Sequence, residues 1–490
     1  MFLVPVALYI AIGAAAFTRD PLEFFASGRR VPAAYNGLAL AVTAMGATGT
    51  VALTGAFFIV GFDALCVMIG GLAGFVVMAV MLAPFFRKFG AFTLPSYLGR
   101  RFESRALRVF SAVILSVPML LMIAAELRMG AYAASMMTGL STVVVMAVLA
   151  LTIALVSIAG GMRSLTWSNV AQAIVMLLAL AVPVTIVAVL VTNMPVPQLS
   201  HGPLVRGLLR IEAQQGLPIV VPPMMAFELP GEGLQQMAKR FTAPFGLVGP
   251  GGFVVATLSI MAGVAAAPWL LPRVATAPGV YEARKSLGWA TFLFGLVMLT
   301  VSAVAVFMRD AVLDIVTVDG LAQIPDWLSQ LVALGQAEVE QRSTRLSATS
   351  FSFQRDAVLF ALPVAIGMPV VMVQMALAGA VAAGVVEDDG VARLDARGSG
   401  LGGGTGDDRR GDVFIALEVV GDGVVVVGLD GGGRVGGEGG RRRHCSESSA
   451  TRGTKGHGEP MNFWEHETIR AAIGGTWLAR GEAAATEGVG

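Results

Sequence analysis

A chain of 490 residues that is 55% apolar and only 14% charged, with a mean hydropathy of +0.74, is too apolar for a soluble globular protein and reads as a polytopic membrane protein. Its formal net charge of +1, with basic residues scattered over short loops, leaves no electrostatic footprint for nucleic acid. Cys66 and Cys445 are its two cysteines and make neither a disulfide framework nor a metal motif, so redox and zinc chemistry have no support.

Residues 2–17 form a short apolar span. No basic region precedes it and further spans follow, so it is expected to be a retained helix. The loop 18–34 carries Arg19, Arg29 and Arg30. Next comes the stretch 36–59, long enough to cross a bilayer yet small, polar or glycine through its middle, Thr43 to Thr50. Lipid offers no partner for a loosened peptide group, so a break there must be buried in protein and line a cavity. Its freed carbonyls and half-helix ends can then hold a cation and an anionic solute. The same composition also suits a small-residue face packed tightly on a neighbouring helix, and the residues alone leave both readings open.

A third span, 64–85, ends at Arg87 and Lys88. The segment 86–108 holds Arg87, Lys88, Arg100, Arg101, Arg105 and Arg108, and by the positive-inside rule is cytoplasmic. Counting outwards from it, the loop 18–34, the turn at Arg163 and the segment from Arg273 to Lys285 also fall inside, and all are basic. The remaining spans are expected at 107–136, 141–160, 167–193, 250–272, 287–308 and 356–384, about nine in all, with long external loops at 194–247 and 309–355. Glu126 and Arg128 lie inside a span, where charges are expensive and face protein or a water path. Two positions apart on a helix, they are not a local pair. The run Gly263 to Pro268 interrupts the span at 250–272, five spans after the first interruption and running the other way through the membrane. Interrupted helices in corresponding inverted positions point to a transporter site.

Several stretches resemble the sodium:solute symporter family: FFASGRRVPAAYNGLALA (24–41), GAFTLPSYLGRRF (90–102), Gly160-Gly161-Met162-Arg163 followed by Trp167 and Gln172, and EARKSLGWA (282–290). They occur in family order and span about residues 20–383. Within the family the chain looks closest to the cation-acetate branch. The resemblance implies an all-α, LeuT-like five-plus-five inverted-repeat bundle with an extra N-terminal helix, working as a secondary transporter in the plasma (inner) membrane and not as an enzyme. It implies symport of a small organic solute, a monocarboxylate such as acetate, with sodium as the coupling ion and no other cofactor. Membrane lipid is the remaining partner expected, with neither nucleic acid nor an obligate protein partner. By position, backbone carbonyls of Val42 and Met45 would hold sodium. Ala44, Gly46, Ala47 and Thr48 would face the solute, as would Ala265, Ala266 and Pro268 on the second interrupted helix. Glu126 joins the solute-facing set, because the family commonly carries a glutamine nearby. A carboxylate there suits a proton or second-cation site, or a pairing with a neighbouring helix.

The family pattern stops after Ala383. The symporter domain is therefore bounded at 1–384, followed by a low-complexity tail expected to be disordered at 385–460 and a short, unassigned stretch at 461–490 with a mildly amphipathic, helix-like pattern. In the family the helix at 375–383 continues with hydroxyl residues that complete the sodium shell, which this chain lacks. The alternative function is therefore a truncated or frameshifted symporter remnant that inserts without transporting. Within the tail, 413–428 resembles a strand pair around Gly421-Asp422-Gly423.

Overall fold

The computed structural model describes residues 3–18, 20–215, 240–246, 249–317, 325–333, 337–339 and 351–384, together with short strands at 219–220, 228–229, 233–234, 238–239, 414–420 and 423–429. The chain divides into two units, Met1–Gly432 and Gly433–Gly490, and every residue of the second lies outside the described set. The first unit is helical. In chain order it contains α1 (Leu3–Ala15), α2 (Pro21–Ala26), α3 (Ala33–Ala47), α4 (Leu53–Val60), α5 (Leu65–Val77), α6 (Ala83–Phe89), α7 (Leu94–Arg101) and α8 (Arg105–Thr138). There follow α9 (Thr142–Thr192), α10 (Pro197–Gln215), α11 (Gly249–Ala265), α12 (Leu271–Val274), α13 (Val280–Thr317), α14 (Asp326–Ala333), α15 (Val358–Ala365) and α16 (Val370–Gly384).

Local chemistry sets many of the boundaries. Asp20 caps α2 by accepting from the Leu22 N–H at 3.0 Å, and Pro21 supplies a first helical residue with no N–H in need of an acceptor. Ser104 caps α8 through the Leu107 N–H at 3.2 Å. The same helix stops where Gly139, at φ 70°, turns its N–H back to the Ser135 carbonyl at 2.8 Å.

Membrane-scale length requires reversals within two of the helical runs. The run Ala33–Phe89 is 57 residues long, more than twice what one crossing needs. It turns at Gly61, whose φ of 66° an L-residue rarely adopts. Both outer ends then meet the same region: Asn36 Nδ2 donates to the Arg273 carbonyl at 3.1 Å, and Arg87 donates to the Ala277 and Pro278 carbonyls at 2.7 Å each. The 51 residues of α9 are likewise two arms, joined at Gly161 with φ 51°.

These contacts gather one end of the bundle. Arg163 pairs with Glu23 at 2.5 Å, and Arg29 donates to the Gly90 carbonyl at 3.1 Å. The four basic segments that the charge rule assigns to one side are thus brought together at one end. At the opposite end the Phe62 N–H reaches the Phe241 carbonyl at 3.3 Å, and Asp63 accepts from the Phe245 N–H at 2.7 Å. There too the buried Glu212 carboxylate accepts from the Phe241 and Thr242 N–H groups at 3.1 Å each, and lies 3.7 Å from Arg309.

Small residues set the helix spacing. A Cβ at Gly70 would lie 2.7 Å from the Thr257 carbonyl, and one at Gly74 2.8 Å from that of Met261, so α5 and α11 meet backbone to backbone. A Cβ at Gly37 would lie 2.9 Å from the Ser286 carbonyl, which brings α3 equally close to α13. The core formed by these contacts runs through both interrupted segments, from Leu40 and Met45 to Ala267 and Leu270.

Several boundaries differ from the sequence expectation. The span expected at 356–384 is two helices, α15 and α16, because Gly367 at φ 71° and Pro369 end the first. The expected span 287–308 is the middle of α13, which begins at Val280 and runs to Thr317, so Asp310 and Asp314 are helical. The loop expected at 194–247 contains α10. Antiparallel strand pairs also qualify the all-α expectation: β1 (Ile219–Val220) with β4 (Ala238–Lys239), β2 (Glu228–Leu229) with β3 (Gly233–Leu234), and β5 (Ala337–Val339) with β6 (Phe351–Phe353). β7 (Phe414–Val420) and β8 (Gly423–Leu429) pair where the sequence resembles a strand pair; the rest of 385–490, and with it the expected disorder, lies outside the described residues.

Two outcomes follow from these contacts. Gly74→Val would push side-chain atoms into the α11 backbone, and a loss of about 1–3 kcal/mol is expected, read as a lower melting temperature in detergent. Glu23 is held below its ordinary value of 4.5, first by the Thr18 hydroxyl at 2.9 Å, with Arg163 and Arg30 adding and desolvation opposing. A depressed carboxylate stabilises the fold above its ordinary value and loses that effect as the pH falls through the lowered one. Glu23→Gln should therefore flatten the acid limb of a melting-temperature profile.

Candidate functional site

The first interrupted helix breaks at Gly46, where φ is 50° and ψ is −163°. An L-residue there would cost about 1–3 kcal/mol, and its Cβ would collide with the Glu126 carboxylate. Beyond the break the chain widens into a π-helical turn, Thr48–Ala52, and then continues as α4. Turns of this kind cluster at functional sites.

Several of the peptide groups at the break find partners inside the protein. Glu126 projects from α8, is 4% exposed, and takes the half-helix N-terminus. Its Oε2 accepts from the Ala47 N–H at 2.5 Å and the Thr48 N–H at 3.1 Å, with Oε1 3.3 Å from the latter. Charge-assisted bonds to a positive helix end are the strong kind. On the carbonyl side, the Thr50 hydroxyl donates to Gly46 O at 3.0 Å and the Thr54 hydroxyl to Thr50 O at 2.5 Å, while Met45 O accepts from the Thr48 N–H.

The expected site residues separate by exposure. Val42, Met45, Gly46 and Ala47 are buried, Ala44 is half-buried, and Thr48 is exposed although the residues on either side of it are buried. On the second interrupted helix, α11 runs through Gly263 to the buried Ala265. The break therefore falls at 266–270, later than the sequence suggests, with Ala266 exposed and Pro268 half-buried. Glu126 takes the alternative of pairing with a neighbouring helix. Arg128 is exposed.

The links that the structure shows between the two interrupted helices lie below the breaks. Asn36 binds the Arg273 carbonyl and accepts from the Thr276 hydroxyl at 3.1 Å. Asn169 on α9 lies 3.1 Å from the Thr43 hydroxyl. With its amide oriented to satisfy its neighbours, Asn169 accepts from Arg273 Nη2 at 2.5 Å and donates to Gln172 at 2.9 Å. Sequence reasoning missed Asn169, Arg273 and Thr50. Arg273 reads as one more basic residue of an inside loop, yet its guanidinium is fully buried. Asn169 stands between Trp167 and Gln172, inside a stretch already singled out.

Three comparisons bear on this architecture. The chain is 25% identical, over 475 aligned positions, to an uncharacterized symporter of Cupriavidus necator, covering 79% of this chain and 69% of that one. Its fold is similar to that of a Na+-coupled sialic acid symporter solved in a substrate-bound, outward-open state. The TM-score is 0.55 and the identity 15%, over 80% of this chain and 70% of the other. That likeness speaks for the fold, a LeuT-like helical bundle. The model of the sodium:solute symporter family matches residues 24–324, more than half of the sequence. The chain belongs to the sodium:solute symporter family, a family of sodium-coupled membrane transporters and not of enzymes.

Proposed function

We propose that this symporter carries a small organic monocarboxylate, of which acetate is the expected example, together with sodium across the plasma membrane. The observation that supports this most directly is the carboxylate already seated on the Ala47 and Thr48 amides. The break at Gly46 forms a receptor for one carboxylate group, walled by small side chains. In this reading the solute lies against Ala44, Gly46, Ala47 and Thr48, with Ala265, Ala266 and Pro268 across from them. Sodium takes the carbonyls of Val42 and Met45. Each carbonyl has two lone pairs, so the bond from Thr48 leaves Met45 able to serve an ion.

Coupling follows from the spacing. The Thr48 N–H bonds to the Met45 carbonyl, so a cation on that carbonyl and an anion on that amide would sit roughly 5 Å apart. Their attraction is on the order of 3 kcal/mol at an effective dielectric constant of about 20. By reciprocity each ligand then tightens the other.

In proteoliposomes, an inward sodium gradient should drive uptake of labelled acetate, and replacing sodium with choline should abolish it. No uptake by this chain, beside uptake by a family relative run in parallel, would instead support a remnant that inserts without transporting. Gly46→Ala tests the receptor itself. Strain of about 1–3 kcal/mol and the clash with Glu126 should lower uptake roughly tenfold or more while the protein still elutes as a folded species.

A further inference from the structure

The carboxylate in the receptor belongs to the protein. Glu126 reaches it from α8, a different helix from the one that breaks, and is more than nine-tenths buried. It rests on backbone donors, with Gly46 on one side and the close approach of Gly130 and Gly384 on the other: a Cβ at Gly384 would lie 2.9 Å from the Glu126 carbonyl and 2.7 Å from the Gly130 nitrogen. Thr48, one of the two amide donors, is itself exposed, whereas Ala47 and Glu126 are buried. Two carboxylates cannot accept from the same two N–H groups, and their like charges would repel.

We infer that Glu126 is a tethered anion that fills the solute's seat when no solute is bound, and that a solute carboxylate binds by exchange for it. This inference rests on the monocarboxylate reading for the identity of the solute, but not for the role of Glu126. In the resting state the half-helix end is neutralised by Glu126. A solute must present a group that replaces a carboxylate on two amides, so neutral sugars and cationic amines without a carboxylate are poor competitors. The fraction of protein whose seat is vacant sets the apparent affinity. Glu126 is thus a specificity-determining residue that weakens binding while enforcing the class of solute.

The test uses the full chain in liposomes and two readouts. In equilibrium binding of labelled acetate, Glu126→Ala vacates the seat and should tighten binding roughly tenfold. Glu126→Gln keeps an acceptor oxygen but loses the charge, and should fall between the two; it also covers the case in which the alanine variant does not fold. The second readout needs no acetate. With Cys66→Ser and Cys445→Ser as background, Thr48→Cys is labelled by an anionic and a cationic methanethiosulfonate reagent of similar size. Adding Glu126→Ala or Glu126→Gln should raise the ratio of anionic to cationic rates several-fold. An unchanged ratio, or acetate binding that is no tighter in either variant of a protein that binds acetate, overturns the inference. A raised ratio with no acetate binding in any form leaves the tethered anion standing and removes the monocarboxylate.

Discussion

Peptide groups released in the middle of a membrane have to be satisfied by protein, because hydrocarbon cannot satisfy them. That constraint organises the site. Once Gly46 takes a conformation that no helix continues, the amides of Ala47 and Thr48 need an acceptor and the nearby carbonyls need donors. Glu126 supplies the acceptor from one helix, and donors come from Thr50 in the turn itself and Thr54 at the start of α4. The small side chains of this stretch are therefore what lets α8 approach closely enough to deliver a carboxylate.

The rest of the bundle holds that arrangement in place. The reversal at Gly61 returns the chain so that both ends of the first interrupted hairpin meet α12 and the segment after it. Gly37 lets α3 lie against α13, and Gly70 and Gly74 let α5 lie against α11. The interrupted helices are clamped at one end through Asn36, Arg273, Asn169 and Thr43, and this leaves Ala266 and Thr48 exposed further along.

Much of this was legible in the sequence, and the reasons are physical. The Gly/Thr-rich centre of 36–59 could be read because apolar spans exclude such residues unless the backbone departs from a helix there. Basic loops could be read because charge sets topology. The partner of Glu126 was not legible, since a single helix reports which residues share its face and not which neighbour they meet. The position of the second break was misplaced by a few residues because Gly263 is tolerated inside a helix, whereas Pro268 is not. Arg273 was hidden by its neighbours: a basic residue in a basic loop carries no sign that it turns inward. The split between α15 and α16 was written in Gly367 and Pro369 but masked by the continuous apolar run around them.

The broken helix also poses a question of stability that a soluble binding site does not. An empty anion receptor in water is hydrated and costs little, whereas one enclosed in a membrane bundle leaves two amides and a positive helix end without a partner. A symporter must nonetheless return to its starting state with nothing bound. A tethered carboxylate removes that penalty by keeping the receptor occupied, and does so with the same chemical group the solute is proposed to bring. The energetic difference between the loaded and unloaded states then becomes the difference between two carboxylates on one seat, which is small. A small difference suits a carrier that has to release its solute as readily as it takes it up.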